Sequence, residues 1–163
     1  MLTDGVVSLR QWHPDDAEWY VEHSRDPEIR RWNTEPPDLD STTVRRAIDR
    51  ALADRLVAVA ITDAATGELL GNLALSPEHE LSYWVASAAR GRGVATRAVR
   101  LLLDHAWASG VDRVVLHPAG RRHPTSAPAW PFPLGPTPAG HHRALPLIGP
   151  HSAPGISTSG RTG

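Results

Sequence analysis

The chain contains no cysteine and no lysine. Without cysteine there are no disulfide staples, no thiolate zinc sites and no thiol nucleophile. Without lysine there is no Walker-type phosphate loop, which requires Gly-Lys followed by Ser or Thr. No apolar run approaches the roughly 18 residues of a membrane span. The start, Met1-Leu2-Thr3-Asp4-Gly5, has neither the basic flank nor the apolar stretch of an export signal, so a soluble cytoplasmic protein is expected. Acids are missing from the last third. All 18 acidic residues lie at or before Asp112 and, with twelve arginines, give residues 1–112 a formal charge of −6, whereas residues 113–163 carry five arginines and no acid. The exclusive use of arginine reads as a coding bias and not as a nucleic-acid signal. At 163 residues the chain is the size of one domain, with enough surface to bury a core only if most of it folds.

What is present changes period along the chain. Val6-Val7-Ser8-Leu9-Arg10-Gln11 alternates apolar and polar side chains as a strand does. Pro14-Asp15-Asp16 and Asp26-Pro27-Glu28 place proline and acids where helices begin, the second helix ending near Trp32. A loop, Asn33-Thr34-Glu35-Pro36-Pro37, follows. Val44, Ile48, Ala51, Leu52 and Arg55 then recur at helical spacing from a start at Asp40 or Ser41. Leu56-Val57-Ala58-Val59-Ala60-Ile61 and Leu69-Leu70-Gly71-Asn72-Leu73-Ala74-Leu75 read as a hairpin about the turn Asp63-Ala64-Ala65-Thr66-Gly67. Glu80-Leu81-Ser82-Tyr83-Trp84-Val85 is a further strand. Val94, Ala98, Leu101, Leu102 and His105 return to helical spacing until Gly110, and residues 111–117 are expected to form a last strand.

After residue 117 neither period continues. Residues 118–163 hold ten of the fifteen prolines and seven of the thirteen glycines, a composition that cannot bury enough surface to offset its ordering entropy. The expected division is a folded unit over 1–117 and a Pro/Gly-rich tail over 118–163. That tail is either disordered or translated out of the ancestral frame; the second is preferred, because GC-rich DNA read out of frame yields Pro, Ala, Gly, Arg, Ser and His.

The chemistry concentrates in Arg90-Gly91-Arg92-Gly93-Val94-Ala95, set between a predicted strand and a predicted helix. Glycine tolerates φ > 0 and lets backbone N–H groups converge on one anion. The helix start adds unpaired N–H groups and a positive dipole end worth about 0.3–2 kcal/mol to a bound anion. A dinucleotide-binding fingerprint needs a differently spaced third glycine and a later acid, and neither is present. Arginine-glycine segments that bind RNA occur in disordered context, whereas this one opens a helix, so no nucleic-acid partner is expected. No metal is expected either: His13, His23, His79 and His105 lack ligand spacing, and His141-His142 lies in the tail.

The stretch from Glu80 to Val99, with Arg90, Gly93 and Ala95 at the defining positions of Arg/Gln-x-x-Gly-x-Gly/Ala, resembles the cofactor motif of the GNAT superfamily of N-acetyltransferases. Val7-Ser8-Leu9-Arg10, Pro14-Asp15-Asp16-Ala17 and Asp26-Pro27-Glu28-Ile29-Arg30-Arg31-Trp32 resemble the opening of its branch that acetylates ribosomal-protein amino termini. The resemblance covers about residues 6–117. It implies an α/β (α+β) fold, a mixed and mainly antiparallel sheet flanked by helices, and acetyl-CoA as co-substrate. It further implies pantetheine lying along the strand near Val85, and pyrophosphate held by Arg90, Gly91, Arg92, Gly93, Val94, Ala95 and Thr96. Glu80 matches a position where relatives carry a glutamate and is the candidate general base for an attacking primary amine. The acceptor is an amine-bearing substrate, a protein amino terminus or a small molecule, and oligomeric state is open. Trp12, Trp32 and Trp84 are candidates to line an acceptor pocket, although aromatic residues at such places more often form core.

Relatives continue after the fifth strand with an asparagine, a helix bearing serine or tyrosine near the thiol, and two more strands. No asparagine or tyrosine follows Tyr83, so the domain is expected to be incomplete. Two other readings therefore stand beside an active N-acetyltransferase: a catalytically impaired remnant that keeps partial CoA binding, and an interaction protein acting through its Arg/Pro-rich tail.

Overall fold

The computed structural model describes residues 1–33, 35–54, 57–77 and 79–116, so the proline-rich tail read from the sequence lies outside the described residues. Six strands form one sheet in the order of the chain: β1 (Leu2–Thr3), β2 (Val7–Gln11), β3 (Val57–Asp63), β4 (Leu69–Leu75), β5 (Glu80–Val85) and β6 (Val115–Leu116). Neighbours are antiparallel except β5 and β6, which run parallel. Three helices, α1 (Ala17–Ser24), α2 (Pro27–Trp32) and α3 (Ser41–Asp54), come between β2 and β3, and α4 (Val94–Ala108) lies between β5 and β6. The expected mixed, mainly antiparallel sheet with flanking helices is the fold observed.

Local chemistry sets these boundaries. Asp26 caps α2 by accepting from the amides of Glu28 (2.8 Å) and Ile29 (3.3 Å), with Pro27 at a position where no N–H is needed. Asp40 accepts from Thr43 N–H (2.7 Å) just before α3. Asp63 gathers the amides of Ala65 (2.9 Å) and Thr66 (3.0 Å) to turn the β3–β4 hairpin, and Gly67 completes that turn at φ 76°.

Strand alternation divides the interior in two. Val7, Leu9, Ile61, Leu73 and Leu81 project to one side and pack with Val94, Ala98, Leu102 and Ala106 of α4. Ala58, Ala60, Ala74 and Trp84 project to the other, against Trp12, Tyr20, Val21, Val44 and Ile48. Each large apolar side chain buried in this way contributes about 1.5–3 kcal/mol. The small alanines of the second face leave room for a layer of aromatic rings. Trp12 and Tyr20 meet edge to face at 5.3 Å, Tyr20 and Trp84 likewise at 5.3 Å, and Trp19 stacks on Trp84 at 5.8 Å.

The structure departs from the sequence expectations at both ends. The first strand starts at Val7 and gains an unforeseen partner, β1. The expected strand over residues 111–117 shrinks to Val115–Leu116 among the described residues. Its first residue is used otherwise: Val111 N–H donates to the Ala106 carbonyl (3.0 Å) after Gly110 turns at φ 89°, so Val111 closes the end of α4 and packs beneath it.

Candidate active site

Backbone parity along β5 determines which amides are available. Ser76 N–H donates to Glu80 O (2.9 Å) and Ala86 N–H to Leu70 O (2.9 Å), so even-numbered residues of β5 spend their backbone groups on β4. Val115 N–H donates to His79 O (2.8 Å), so odd-numbered residues face β6. Among the described residues the pairing with β6 covers only Glu80 and Leu81. The backbone edges of Tyr83 and Val85 consequently face a stretch along which no described strand lies.

That edge leads into the glycine turn. Gly91 and Gly93 adopt φ of 73° and 74°, and a Cβ at either would meet no atom within 4 Å. Gly93 is the N-cap of α4, and no side chain caps the helix there. The first amide paired across the cap is that of Arg97, donating to the Gly93 carbonyl (3.2 Å). The amides of Val94, Ala95 and Thr96 precede it and form the unpaired helix start at which an anion is stabilised. Left-handed glycines, open space beside them and an uncapped helix start are together what a pyrophosphate requires. The Arg90 amide is already used, donating to Ser87 O (3.3 Å).

The arginine side chains are less available than their charge suggests. Arg90 Nε donates to the Val85 carbonyl (3.1 Å), while Nη2 lies 3.1 Å from Asp26 Oδ2. Arg97 pairs with Asp4 at 2.8 Å, and Arg92 lies 3.9 Å from Asp63. Burial acts to raise the Asp26 carboxyl, but the Glu28 and Ile29 amides and Arg90 outweigh it, leaving its pKa below the ordinary value. Arg90 thus links the open edge of β5 to the start of α2.

Glu80 stands apart from this region. It is the first residue of β5, with its amide donating to Ser76 Oγ (3.2 Å). At about 3.3 Å per residue it lies roughly 16 Å along the strand from Val85. Its side chain shares the face of Ser82 and Trp84, opposite α4. The structure therefore brings together Val85, Arg90, Gly91, Arg92, Gly93, Val94, Ala95 and Thr96 and leaves Glu80 at the far end of the same strand. Of the tryptophans, Trp12 and Trp84 belong to the aromatic core, whereas Trp32 is 44% exposed with Arg31 over its ring.

Sequence reasoning passed over a polar cluster on that same face. The buried Tyr20 hydroxyl donates a short hydrogen bond to Glu35. Burial raises the Glu35 carboxyl above its ordinary pKa against the opposing pull of Tyr20 and Asn33. Burial and the Glu35 charge raise the tyrosine well above its own. The Trp84 indole nitrogen is near enough to the hydroxyl to lower that pKa, yet it closes no hydrogen bond of good geometry. The only available signal was an acid placed just before Pro36-Pro37 in a loop. Among the described residues no group of three or more His, Asp or Glu is arranged to hold a metal ion, and no helix is long and apolar enough to cross a membrane.

The family described as the acetyltransferase (GNAT) domain matches residues 7–124, and the chain belongs to that family. None of the curated proteins compared with the chain matches it. Solved structures share the fold. RimL, the ribosomal L7/L12 α-N-protein acetyltransferase in its apo form, is 15% identical, with a TM-score of 0.56 over 71% of this chain and 68% of that one. Spermidine N-acetyltransferase from Vibrio cholerae, in complex with CoA and spermine, is 17% identical, with a TM-score of 0.55 over 64% of this chain and 66% of that one. An acetyltransferase from Agrobacterium tumefaciens is 25% identical, with a TM-score of 0.53 over 66% of each chain. The chain thus spans about two thirds of the length of these solved proteins.

Proposed function

We propose that this chain transfers an acetyl group from acetyl-CoA to a primary amine by direct attack in a ternary complex, acting in the cytoplasm on a protein amino terminus or a small-molecule amine. One observation carries the reading. A strand edge whose odd-numbered amides at Tyr83 and Val85 meet no strand among the described residues runs directly into two left-handed glycines and an uncapped helix start, an arrangement suited to a ligand that is extended at one end and doubly phosphorylated at the other. Acetyl-CoA is such a ligand, and it supplies an activated acetyl thioester. The amides of residues 91–96 hold its pyrophosphate. The edge of Tyr83 and Val85 pairs with pantetheine as a further strand would, and one of these N–H groups polarises the thioester carbonyl as negative charge develops on oxygen. Arg90, bound to the Val85 carbonyl, fixes that residue's peptide orientation. Glu80 is the one carboxylate on β5 and is taken as the base; the roughly 16 Å between it and Val85 requires the amine proton to travel through several waters.

Calorimetry with CoA, followed by thiol release from acetyl-CoA in the presence of an amine panel, tests this function. Micromolar CoA binding and amine-dependent thiol release are expected. No heat at millimolar CoA would remove the reading. For Glu80→Gln, the acid limb of the pH–rate profile is expected to disappear; an unaltered profile would remove Glu80 as base.

A further inference from the structure

Asp26 has two carboxylate oxygens with separate partners, and the transfer chemistry above uses neither. Oδ1 accepts from the amides of Glu28 (2.8 Å) and Ile29 (3.3 Å) and so caps α2, while Oδ2 lies 3.1 Å from Arg90 Nη2. A cap requires one oxygen and no charge, since asparagine and serine serve about as well as aspartate at that position. The second oxygen therefore has a task of its own, and it reaches an arginine of the segment proposed to hold the diphosphate.

Arg90 in turn acts on one peptide group. Its Nε donates to the Val85 carbonyl (3.1 Å), and the N–H of that same peptide, on Ala86, donates to Leu70 O (2.9 Å). The Val85–Ala86 peptide is thus held from both flanks, and it stands where the open edge of β5 ends and the turn toward Gly91 and Gly93 begins. A guanidinium is a rigid planar fork. Held at Nε alone it swivels about that one bond; held also at Nη2 by Asp26, it keeps Nε aimed at the carbonyl. Charge by itself points the other way. Asp26 is an anion beside a segment proposed to bind an anion, so if Arg90 acted through its charge alone, this carboxylate would weaken the ligand.

We infer that Asp26 is a positioning residue for the cofactor: through Arg90 it pins the Val85–Ala86 peptide, and so sets the spacing between the strand edge that pairs with the amide-bearing arm of CoA and the glycine turn that holds its diphosphate. The inference rests on the acetyl-transfer reading, and it adds a residue at the start of α2, outside residues 85–96, to the determinants of cofactor affinity. A ligand that spans both subsites binds more tightly when their spacing is fixed, because less ordering of the site is required on binding. A ligand that fills only the glycine turn has no such dependence.

The test is calorimetry on the full chain with CoA, which spans both subsites, and with ADP, which has a diphosphate and no arm and is read by its displacement of CoA. In Asp26→Asn the side-chain oxygen is needed by the Glu28 and Ile29 amides, so the NH2 group faces Arg90 Nη2, donor against donor. CoA affinity is expected to fall about tenfold, with ADP affinity held within about twofold. Arg90→Gln should weaken CoA similarly, and adding Asp26→Asn to it should weaken CoA no further, because Asp26 acts only through Arg90. If Asp26→Asn fails to fold, Asp26→Ser, which keeps a capping oxygen, takes its place. Unchanged or tighter CoA binding in Asp26→Asn would overturn the inference and leave the carboxylate as a counter-ion. So would equal losses for CoA and ADP, or additive losses in the double variant. CoA heat separates the two levels: CoA bound equally by the parent and by Asp26→Asn removes the positioning role alone, whereas no CoA heat from the parent removes the transferase reading itself and this inference with it.

Discussion

Two polar regions beside β5 differ in how the chain builds them. The diphosphate end comes from one continuous segment, residues 85–96, and relies on backbone amides and glycine conformations. The buried polar cluster on the Trp84 face comes from side chains in three separate stretches, at Tyr20, at Asn33 and Glu35, and at Trp84. A site made of backbone can be recognised from its glycines, because their spacing and the conformations they permit are properties of the sequence itself. A site made of converging side chains has no such signature, since only the packing of α1 and the loop before α3 against β5 brings its members together. Arg90 ties the first region to the helices, holding the Val85 carbonyl with one nitrogen and Asp26 at the start of α2 with another.

The sharpest way to break this comparison is at Gly93. Gly93→Val puts a β-branched residue at φ 74°, a conformation costing an L-residue about 1–2 kcal/mol, and it fills the open space beside the helix start. CoA affinity is expected to fall at least about a hundredfold, a loss of ~2.7 kcal/mol. Strain alone does not account for that loss, and Gly67→Val provides the control. Gly67 has nearly the same φ, 76°, and equally open surroundings, but it lies in the β3–β4 turn. That variant should lose similar stability and keep its CoA affinity. Equal CoA losses in the two variants, read by calorimetry, would show that the glycines serve folding and not ligand binding.

Much of the diphosphate end was legible beforehand. The order of elements, the glycine turn and the helix behind it follow from period changes and from two glycines spaced by one arginine. The roles of the arginine side chains were not, because their partners Asp4, Asp26 and Asp63 lie far away in sequence. The short last strand was misjudged for a similar reason: Val111 has the β-branched character of a strand, but the requirement to close α4 prevails there. Gly71 was also passed over. In sequence it is a weak spot in a strand; in the structure a Cβ on it would run into the Trp84 carbonyl oxygen and stand 3.1 Å from Val85 Cα.

Gly71 is therefore where the packing of β4 on β5 is most easily disturbed. The clash is with backbone on the neighbouring strand, so it cannot be relieved by rotating a side chain. Gly71→Ala is expected to cost about 1–3 kcal/mol, seen as a fall in Tm of several degrees. Because Val85 lies on the proposed cofactor edge, CoA affinity should weaken as well. Lost stability with unaltered CoA affinity, read by thermal melts and calorimetry, would show that the edge of β5 does not hold the cofactor.

The smallest effects concern pH, and they should have opposite signs in the two regions. Asp4, beside Arg97 of α4, has its carboxyl lowered to about 2, first by the Val7 amide and then by Arg97. A carboxyl depressed in the folded state adds stability above its unfolded value near 3.8, and that stability is lost as pH falls toward 2. Since the Arg97–Asp4 pair is half exposed, solvent limits its worth to about 0–1 kcal/mol. Glu35 behaves in the opposite sense. Burial raises its pKa above 4.5, so the folded state binds its proton more tightly, and a penalty develops as pH rises through 4.5 and is complete above the raised value. Asp4→Asn should accordingly be slightly less stable than the parent at pH 7 and approach it only as pH falls below about 2. Glu35→Gln should match the parent near pH 4 and be more stable at pH 7, by about 1 kcal/mol or a few degrees in Tm. If Glu35→Gln instead loses stability at pH 7 in thermal melts, the hydrogen bonds from Tyr20 and Asn33 to the ionised carboxylate outweigh the cost of burying it.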